Sequence, residues 1–153
     1  EQTGQQKLNV VLLGYGRIGL VHAESITRHP RLNLLAIVGS NEKKVSEIAK
    51  KFGTRGALSL ATILVSALLS QSACLIIPEI NSSKNEEKVD GVVIASPTLT
   101  HPDYIKLCAQ KSIPVFTEKP VAFLPDQISE CFQLAHKANI PLVCGTYIYY
   151  TNI

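Results

Sequence analysis

From Leu8 onward, short runs of apolar and β-branched residues alternate with longer segments of helical periodicity. This alternation is typical of βαβ units, in which a helix carries the chain back so that successive strands run parallel. Several runs are almost continuously apolar, as expected of strands covered by helices on both faces. The pattern predicts an α/β fold with a doubly wound parallel sheet. The predicted strands are Leu8–Leu13, Leu32–Val38, Arg55–Leu58, Val89–Ala95, Pro114–Thr117 and Pro141–Gly145.

Four helices are predicted between these strands from their start and stop signals. His29, followed by proline, closes the first helix, and Gly53 closes the second. Thr100 is expected to cap the third helix, because Pro102 lies in its first turn and Asp103 follows the cap by three residues. The predicted helices are Arg17–Arg28, Glu42–Phe52, His101–Lys111 and Asp126–Asn139.

The chain has 153 residues, the length of one ordinary domain. We predict a flexible segment over residues 1–7 and a single domain over residues 8–153, with an apolar stretch and a polar loop at 54–88. The net charge of +3 is small and its 15 Lys and Arg residues are scattered, which argues against a nucleic-acid partner. The N-terminus lacks the basic and apolar order of a secretory signal, so a cytoplasmic location is the expectation.

The cysteines and histidines lack the spacing of a metal site. No C-x-x-C pair occurs, and no two histidines stand four residues apart on one predicted helix. We therefore predict no metal ion and expect the cysteines to be buried, reduced thiols. The residues concerned are Cys74, Cys108, Cys131, Cys144, His22, His29, His101 and His136.

An uncharged stretch of 23 residues, 56–78, is long enough to cross a bilayer. Its hydroxyl side chains and Gln71 dilute the apolar character, and it lies between strands that must share one sheet. A short third strand and a buried helix are therefore favoured over a membrane span, and residues 79–88 are predicted to form a polar loop. Attachment of the chain to a membrane through this stretch is the third and weakest functional hypothesis, after the two given below.

Three glycines follow the first predicted strand in the sequence GYGRIG and satisfy the pattern G-x-G-x-x-G. In a Rossmann fold, Gly14 would permit the tight turn, Gly16 would let a pyrophosphate approach the backbone, and Gly19 would let helix and strand pack closely. The amides of Arg17 and Ile18 would then face the phosphates at a helix N-terminus. The alternative is a plain strand-to-helix turn, but the strand before and the helix after favour dinucleotide binding.

Polar residues also follow three other predicted strands. They occupy positions 39–41, 96–98 and 118–120. Ligands of open α/β sheets lie beyond the carboxyl ends of the strands, so these residues are predicted to line the same groove as the glycines.

The chain resembles the N-terminal domain of the Gfo/Idh/MocA family, named after glucose–fructose oxidoreductase and inositol dehydrogenase. The resemblance rests on GYGRIGLVHAES, VDGVVIASPTLTHPDYI and PVFTEKPVA, in this order. It implies an NAD(P)-dependent oxidoreductase acting on a sugar, an inositol-like polyol or a related hydroxyl compound. It also implies a second α/β domain that supplies an Asp and a His. No segment after Gly145 supplies this Asp and His, so the chain alone is expected to be inactive. Assembly into a homo-oligomer is left open.

The resemblance also implies roles for individual residues. Glu118 would lie near the nicotinamide ribose, and Lys119 would be catalytic, because its ammonium would stabilise the alkoxide that develops on the substrate. Thr98 and His101 match cofactor-lining positions, although His101 is equally an ordinary first-turn residue. Tyr149 stands where the family often carries an arginine. The cofactor-binding candidates are Gly14, Tyr15, Gly16, Arg17, Ile18, Gly19, Ser40, Asn41, Ser96, Pro97, Thr98, His101, Glu118 and Lys119.

The residues after the second strand bear on which cofactor is bound. NAD-preferring sites place an acidic residue there to bind the ribose hydroxyls, and Gly39 stands in its place. Ser40 and Asn41 would donate to a 2′-phosphate, and Lys43 or Lys44 would add charge unless both lie on a solvated helix face. NADP is thus favoured slightly over NAD, and Gly39→Asp is expected to shift selectivity towards NADH.

The alternative to an oxidoreductase is a noncatalytic dinucleotide-binding module, either a truncated isoform or a pseudoenzyme.

Overall fold

A computed structural model describes residues 6–65 and 88–146 of the chain. Within them, one six-stranded sheet has the strand order β3-β2-β1-β4-β5-β6, and every neighbouring pair is parallel. This is the strand order of the doubly wound Rossmann fold, as the sequence predicts. The strands are β1 (Leu8–Leu13), β2 (Leu32–Val38), β3 (Arg55–Ala57), β4 (Gly91–Ile94), β5 (Val115–Thr117) and β6 (Leu142–Cys144).

The helices connect these strands as predicted. The first two have the predicted bounds, and Gly53 ends the second in the left-handed conformation at φ +63°. A short 3₁₀ helix, Thr98–Thr100, precedes the third helix. The helices are α1 (Arg17–Arg28), α2 (Glu42–Phe52), α3 (His101–Gln110) and α4 (Pro125–Lys137).

The core lies on both faces of the sheet. Side chains alternate along a strand, so Val11 and Leu13 of β1 pack into one buried cluster while Val10 and Leu12 pack into the other. All four are less than 9% exposed, which explains why β1 is apolar at every position from Val10 onward. The strand order reverses between β1 and β4, and this reversal opens a crevice at their carboxyl ends.

The structure corrects some predicted boundaries. Strands β5 and β6 begin one residue after Pro114 and Pro141, because proline has no N–H to donate to the ladder. Thr100 does not cap α3 with its side chain. Its hydroxyl donates instead to the carbonyl of Pro97 at 2.8 Å, inside the preceding 3₁₀ turn, because the chain has already turned before α3 begins.

The apolar stretch is described in part. Its first residues form β3, and residues 60–65 are helical with Leu60, Ile63 and Leu64 buried, as the soluble-domain interpretation predicts. The rest of the predicted buried helix and most of the polar loop lie outside the described residues, as do Cys74, Tyr149 and residues 1–5. No helix within the described ranges is long and apolar enough to cross a membrane.

Three of the four cysteines fall within the described ranges, and all three are free thiols. Cys108 and Cys131 are buried and Cys144 is partly buried. Burial raises the pKa of Cys108 to about 12 from its usual value of 9.0, so its thiol stays protonated at neutral pH. Among the residues that the structure describes, no group of three His, Cys, Asp or Glu side chains is arranged to hold a metal ion.

Candidate functional site

A groove crosses the carboxyl ends of the strands at the point where the strand order reverses. It consists of two adjoining cavities of about 580 and 450 Å³ that share Arg17, Ile18, Ala95 and Ser96 in their walls. The larger cavity extends over the end of β2, and the smaller one extends towards the end of β5. The groove therefore lies at the topological switch point, where ligands bind in open α/β sheets.

Most of the predicted cofactor-binding residues line this groove. Gly19 and Asn41 do not line either cavity. The larger cavity contains Gly14, Tyr15, Gly16, Arg17, Ile18, Ser40, Ser96 and Pro97, and the smaller contains Arg17, Ile18, Ser96, Thr98, His101, Glu118 and Lys119.

The three glycines of the first turn differ in what a side chain would meet. Gly14 has φ +98°, and a Cβ there would lie 2.5 Å from the carbonyl oxygen of Ala95. A Cβ on Gly19 would overlap the carbonyl oxygen of Gly14. At Gly16, by contrast, no described atom outside the glycine and its chain neighbours comes within 4 Å of a Cβ. Gly14 and Gly19 are thus required for folding of the turn, whereas the space beside Gly16 is left open towards the groove.

The N-terminus of α1 opens onto the same groove. The first amide bonded to the helix backbone is that of Leu20, which donates to the carbonyl of Gly16 at 3.0 Å. The preceding amides, those of Arg17 and Ile18 among them, have no partner within the helix, as is general for a first turn. No acidic side chain lies in this turn. The local field therefore favours an anion.

Glu118, directly after β5, is connected to α1. Its Oε1 lies 2.7 Å from Nε2 of His22, and its Oε2 accepts from the backbone N–H of Lys119 at 3.3 Å. The ring of His22 meets Phe116 edge to face, with centroids 5.4 Å apart. No motif in the sequence pointed to His22 as a site residue, since only the fold brings α1 beside the end of β5. Both oxygens of the Glu118 carboxylate are therefore held in place.

His101 joins two loops of the groove. Its side chain is buried, with Nδ1 2.9 Å from the carbonyl oxygen of Pro120 and Nε2 2.8 Å from that of Ser96. Thr117 Oγ1 lies 3.3 Å from Nδ1. His101 is thus both a first-turn residue of α3 and part of the groove wall, and it links the segment after β4 to the segment after β5.

The residues after β2 differ in how they lie relative to the groove. Asn41 caps α2, because its Oδ1 accepts from the N–H of Lys44 at 3.0 Å, and this bond turns its side chain to the helix. Lys43 and Lys44 are exposed on α2 and do not line the groove. Ser40 is exposed and lines the larger cavity, beside Gly39. Of the polar groups proposed for a 2′-phosphate, the structure brings only Ser40 to the groove.

The glycine-rich turn, the strand order and the groove at the switch point together define a Rossmann domain that binds a dinucleotide. A profile of the oxidoreductase family with an NAD-binding Rossmann fold matches residues 8–146. The chain belongs to this family, Gfo/Idh/MocA.

Relatives with known roles fit this assignment. The inositol 2-dehydrogenase of Rhizobium meliloti is 25% identical over 134 residues, which cover 88% of this chain and 34% of that protein. The structure of GenD2 from gentamicin A biosynthesis, in complex with NAD, has a TM-score of 0.72 and 26% identity, over 92% of this chain and 34% of that one. A myo-inositol dehydrogenase from Corynebacterium glutamicum has a TM-score of 0.70 and 26% identity, over 91% and 36%. The chain spans about a third of the length of the curated relatives it matches.

Proposed function

We propose that this chain is the cofactor-binding part of an NAD(P)-dependent oxidoreductase that acts on the hydroxyl group of a sugar, an inositol-like polyol or a related compound. The observation that carries this proposal is the continuity of the groove from the glycine-rich turn to Lys119. One end offers a cradle for phosphates, and the other offers a cation where charge would develop during the reaction. The inositol dehydrogenases among the relatives support the substrate class.

The glycine-rich turn fits a pyrophosphate. Gly16 leaves room for it to approach the backbone, and the first amides of α1 offer hydrogen bonds. Arg17 lines both cavities and adds a positive charge that a phosphate oxygen would meet. Ser96, Pro97 and Thr98 would form the facing wall of the cofactor site.

The end of the groove at β5 would perform the chemistry. A bound nicotinamide supplies a hydride acceptor or donor. The ammonium of Lys119 would stabilise negative charge on the substrate oxygen as its proton leaves, and it would do so without forming a covalent bond. Glu118 would stand beside the nicotinamide ribose, in an orientation fixed by its contacts with His22 and the backbone of Lys119.

The alternative is a noncatalytic dinucleotide-binding module. One observation favours it: besides Lys119 and Arg17, the titratable groups lining the smaller cavity are His101 and Glu118. Both are engaged in hydrogen bonds within the protein. Proton transfer from a substrate to either group would compete with these contacts, which favours a binding role over a catalytic one.

We expect the chain to bind NADPH more tightly than NADH, by about tenfold, which corresponds to about 1.4 kcal/mol. Gly39 has no carboxylate that could bind the ribose hydroxyls of NADH or repel the 2′-phosphate of NADPH. The Ser40 hydroxyl lies at the groove and can donate a hydrogen bond to a 2′-phosphate. Titration of cofactor fluorescence with the protein measures both dissociation constants. Equal affinities, or tighter binding of NADH, would refute the preference.

A pair of serine variants serves as the control. Ser40→Ala is expected to remove most of the preference for NADPH, whereas Ser46→Ala, on the exposed surface of α2 and outside the groove, leaves it unchanged. If both variants have the affinities of the unmodified chain, Ser40 does not contact the 2′-phosphate.

A further inference from the structure

The ring of Tyr15 covers Gly39. Tyr15 is the second residue of the glycine-rich turn, and Gly39 directly follows β2. A Cβ placed on Gly39 would overlap Cε1 and Cδ1 of the Tyr15 ring, and it would lie 3.1 Å from Cγ2 of Val45. Gly39 is not among the glycines with positive φ, so its backbone would accept another residue. The Tyr15 ring, and to a lesser degree the Val45 methyl group, makes glycine the fitting residue at this position.

The Tyr15 ring is not free to swing away without cost. The residue is partly buried and packs against the core cluster on one face of the sheet, the cluster that contains Leu12 and Ile37. Ile48 and Phe52 of α2 pack against the same cluster. Moving the ring into the groove would expose apolar surface and open space at this edge of the core.

The position of the ring bears directly on how the ribose of a cofactor is recognised. In an NAD-preferring Rossmann site, a carboxylate at the end of the second strand binds both ribose hydroxyls. Here Gly39 occupies that end of β2, and both Gly39 and Tyr15 line the larger cavity. An acidic side chain on residue 39 would have to start from the volume that the ring fills.

We propose that Tyr15 and Gly39 act as a coupled pair that determines which dinucleotide is bound. The Tyr15 ring excludes a side chain at position 39, and with it the carboxylate that would select NAD, while forming a wall of the adenosine ribose pocket. This inference rests on the proposed function, since it assigns the ribose to this end of the groove. From the sequence alone, Gly39→Asp is expected to shift selectivity towards NADH. With the Tyr15 ring in place, that substitution cannot switch the cofactor.

The test is a set of binding titrations with NADPH and NADH. Gly39→Asp alone is expected to weaken both cofactors by about tenfold or more, because the introduced carboxylate side chain and the ring compete for one space. Tyr15→Ala combined with Gly39→Asp is expected to restore NADH binding and leave NADPH weak, which shifts the ratio of affinities by about 100-fold from that of the unmodified chain. Tyr15→Phe combined with Gly39→Asp keeps the ring and is expected to behave like Gly39→Asp alone.

Two results would overturn the coupling. One is a gain of NADH affinity by Gly39→Asp with Tyr15 intact. The other is equal behaviour of the double variants with Ala and with Phe at position 15, since only the first removes the ring.

A measurement without cofactor tests the contact between the two residues. Gly39→Ala is expected to lower the thermal midpoint by about 5 °C in the unmodified chain, and by less than half as much in the Tyr15→Ala background. Additive effects would overturn the coupled pair. If the unmodified chain binds neither dinucleotide, the proposed function fails, and this thermal cycle still decides whether Tyr15 restricts position 39.

Discussion

Gly16→Val is expected to abolish dinucleotide binding, with an affinity at least 100-fold lower, or about 3 kcal/mol, while the fold survives. In the structure nothing within 4 Å opposes a Cβ at this position, so the valine is accommodated in the free protein. The same open space is where a pyrophosphate would approach the backbone, and the valine would fill it. Cofactor titration and circular dichroism measure the two effects separately.

The other glycines provide the controls. Gly14→Ala and Gly19→Ala are expected to destabilise the fold itself, because a Cβ at either position overlaps a backbone carbonyl. Gly91→Ala, in β4, is expected to change neither binding nor folding, since its Cβ would lie at an ordinary 3.8 Å from the carbonyl oxygen of Pro114. A folded Gly16→Val protein that binds the cofactor normally would show that the glycine pattern forms a turn and not a cofactor site.

We expect the 153-residue chain to bind cofactor but not to oxidise inositols or sugars at a measurable rate. Orienting a substrate is worth about 7–11 kcal/mol of the barrier, and an open groove with one wall forfeits much of this. General base assistance, typically about 10²–10⁴-fold, is expected to be weak as well, because proton transfer to His101 or Glu118 would compete with the hydrogen bonds that both already make within the protein.

The assay compares the chain with a chimaera that joins it to the remaining two thirds of a relative such as the Rhizobium meliloti inositol 2-dehydrogenase. Inositols, aldoses and their lactones are offered with NADP and NAD. In an active chimaera, Lys119→Ala is expected to lower kcat by about 10²–10³-fold, as for removal of one group that stabilises developing charge. Lys111→Ala, an exposed lysine at the end of α3, serves as the matched control. Steady turnover by the 153-residue chain, lost in Lys119→Ala, would contradict this expectation and show that the chain itself contains a catalytic base.

The fold was predictable where the sequence marks its own boundaries. Helix α2 ends where predicted because Gly53 adopts a left-handed conformation that a helix cannot continue. Strand β1 has its predicted bounds because its apolar residues fill the core on both faces. The starts of β5 and β6 were displaced by one residue, since a proline carbonyl accepts from the neighbouring strand while its nitrogen donates nothing.

The candidate site was predictable as a set of strand ends, but its internal contacts were not. Parallel strands bring residues 14–19, 39–41, 96–98 and 118–120 to one edge of the sheet, whichever way their side chains point. The contacts of His22 with Glu118 and of Tyr15 with Gly39 depend on side-chain directions that no spacing in the sequence encodes. The capping role of Asn41 was not predicted, because a residue suited to bind phosphate is also suited to cap a helix.

Binding of a dinucleotide at the glycine-rich turn can be observed directly. The most direct measurement is a titration of the ¹⁵N-labelled chain with NADPH, followed through its backbone amide resonances. Binding at the turn predicts saturable shifts at Gly16, Arg17 and Ile18, with no shifts in the separate cavity between α2 and β3, beside Lys50 and Leu58. Saturable shifts confined to that second cavity, or no shifts at the turn when the cofactor is in large excess, would contradict it.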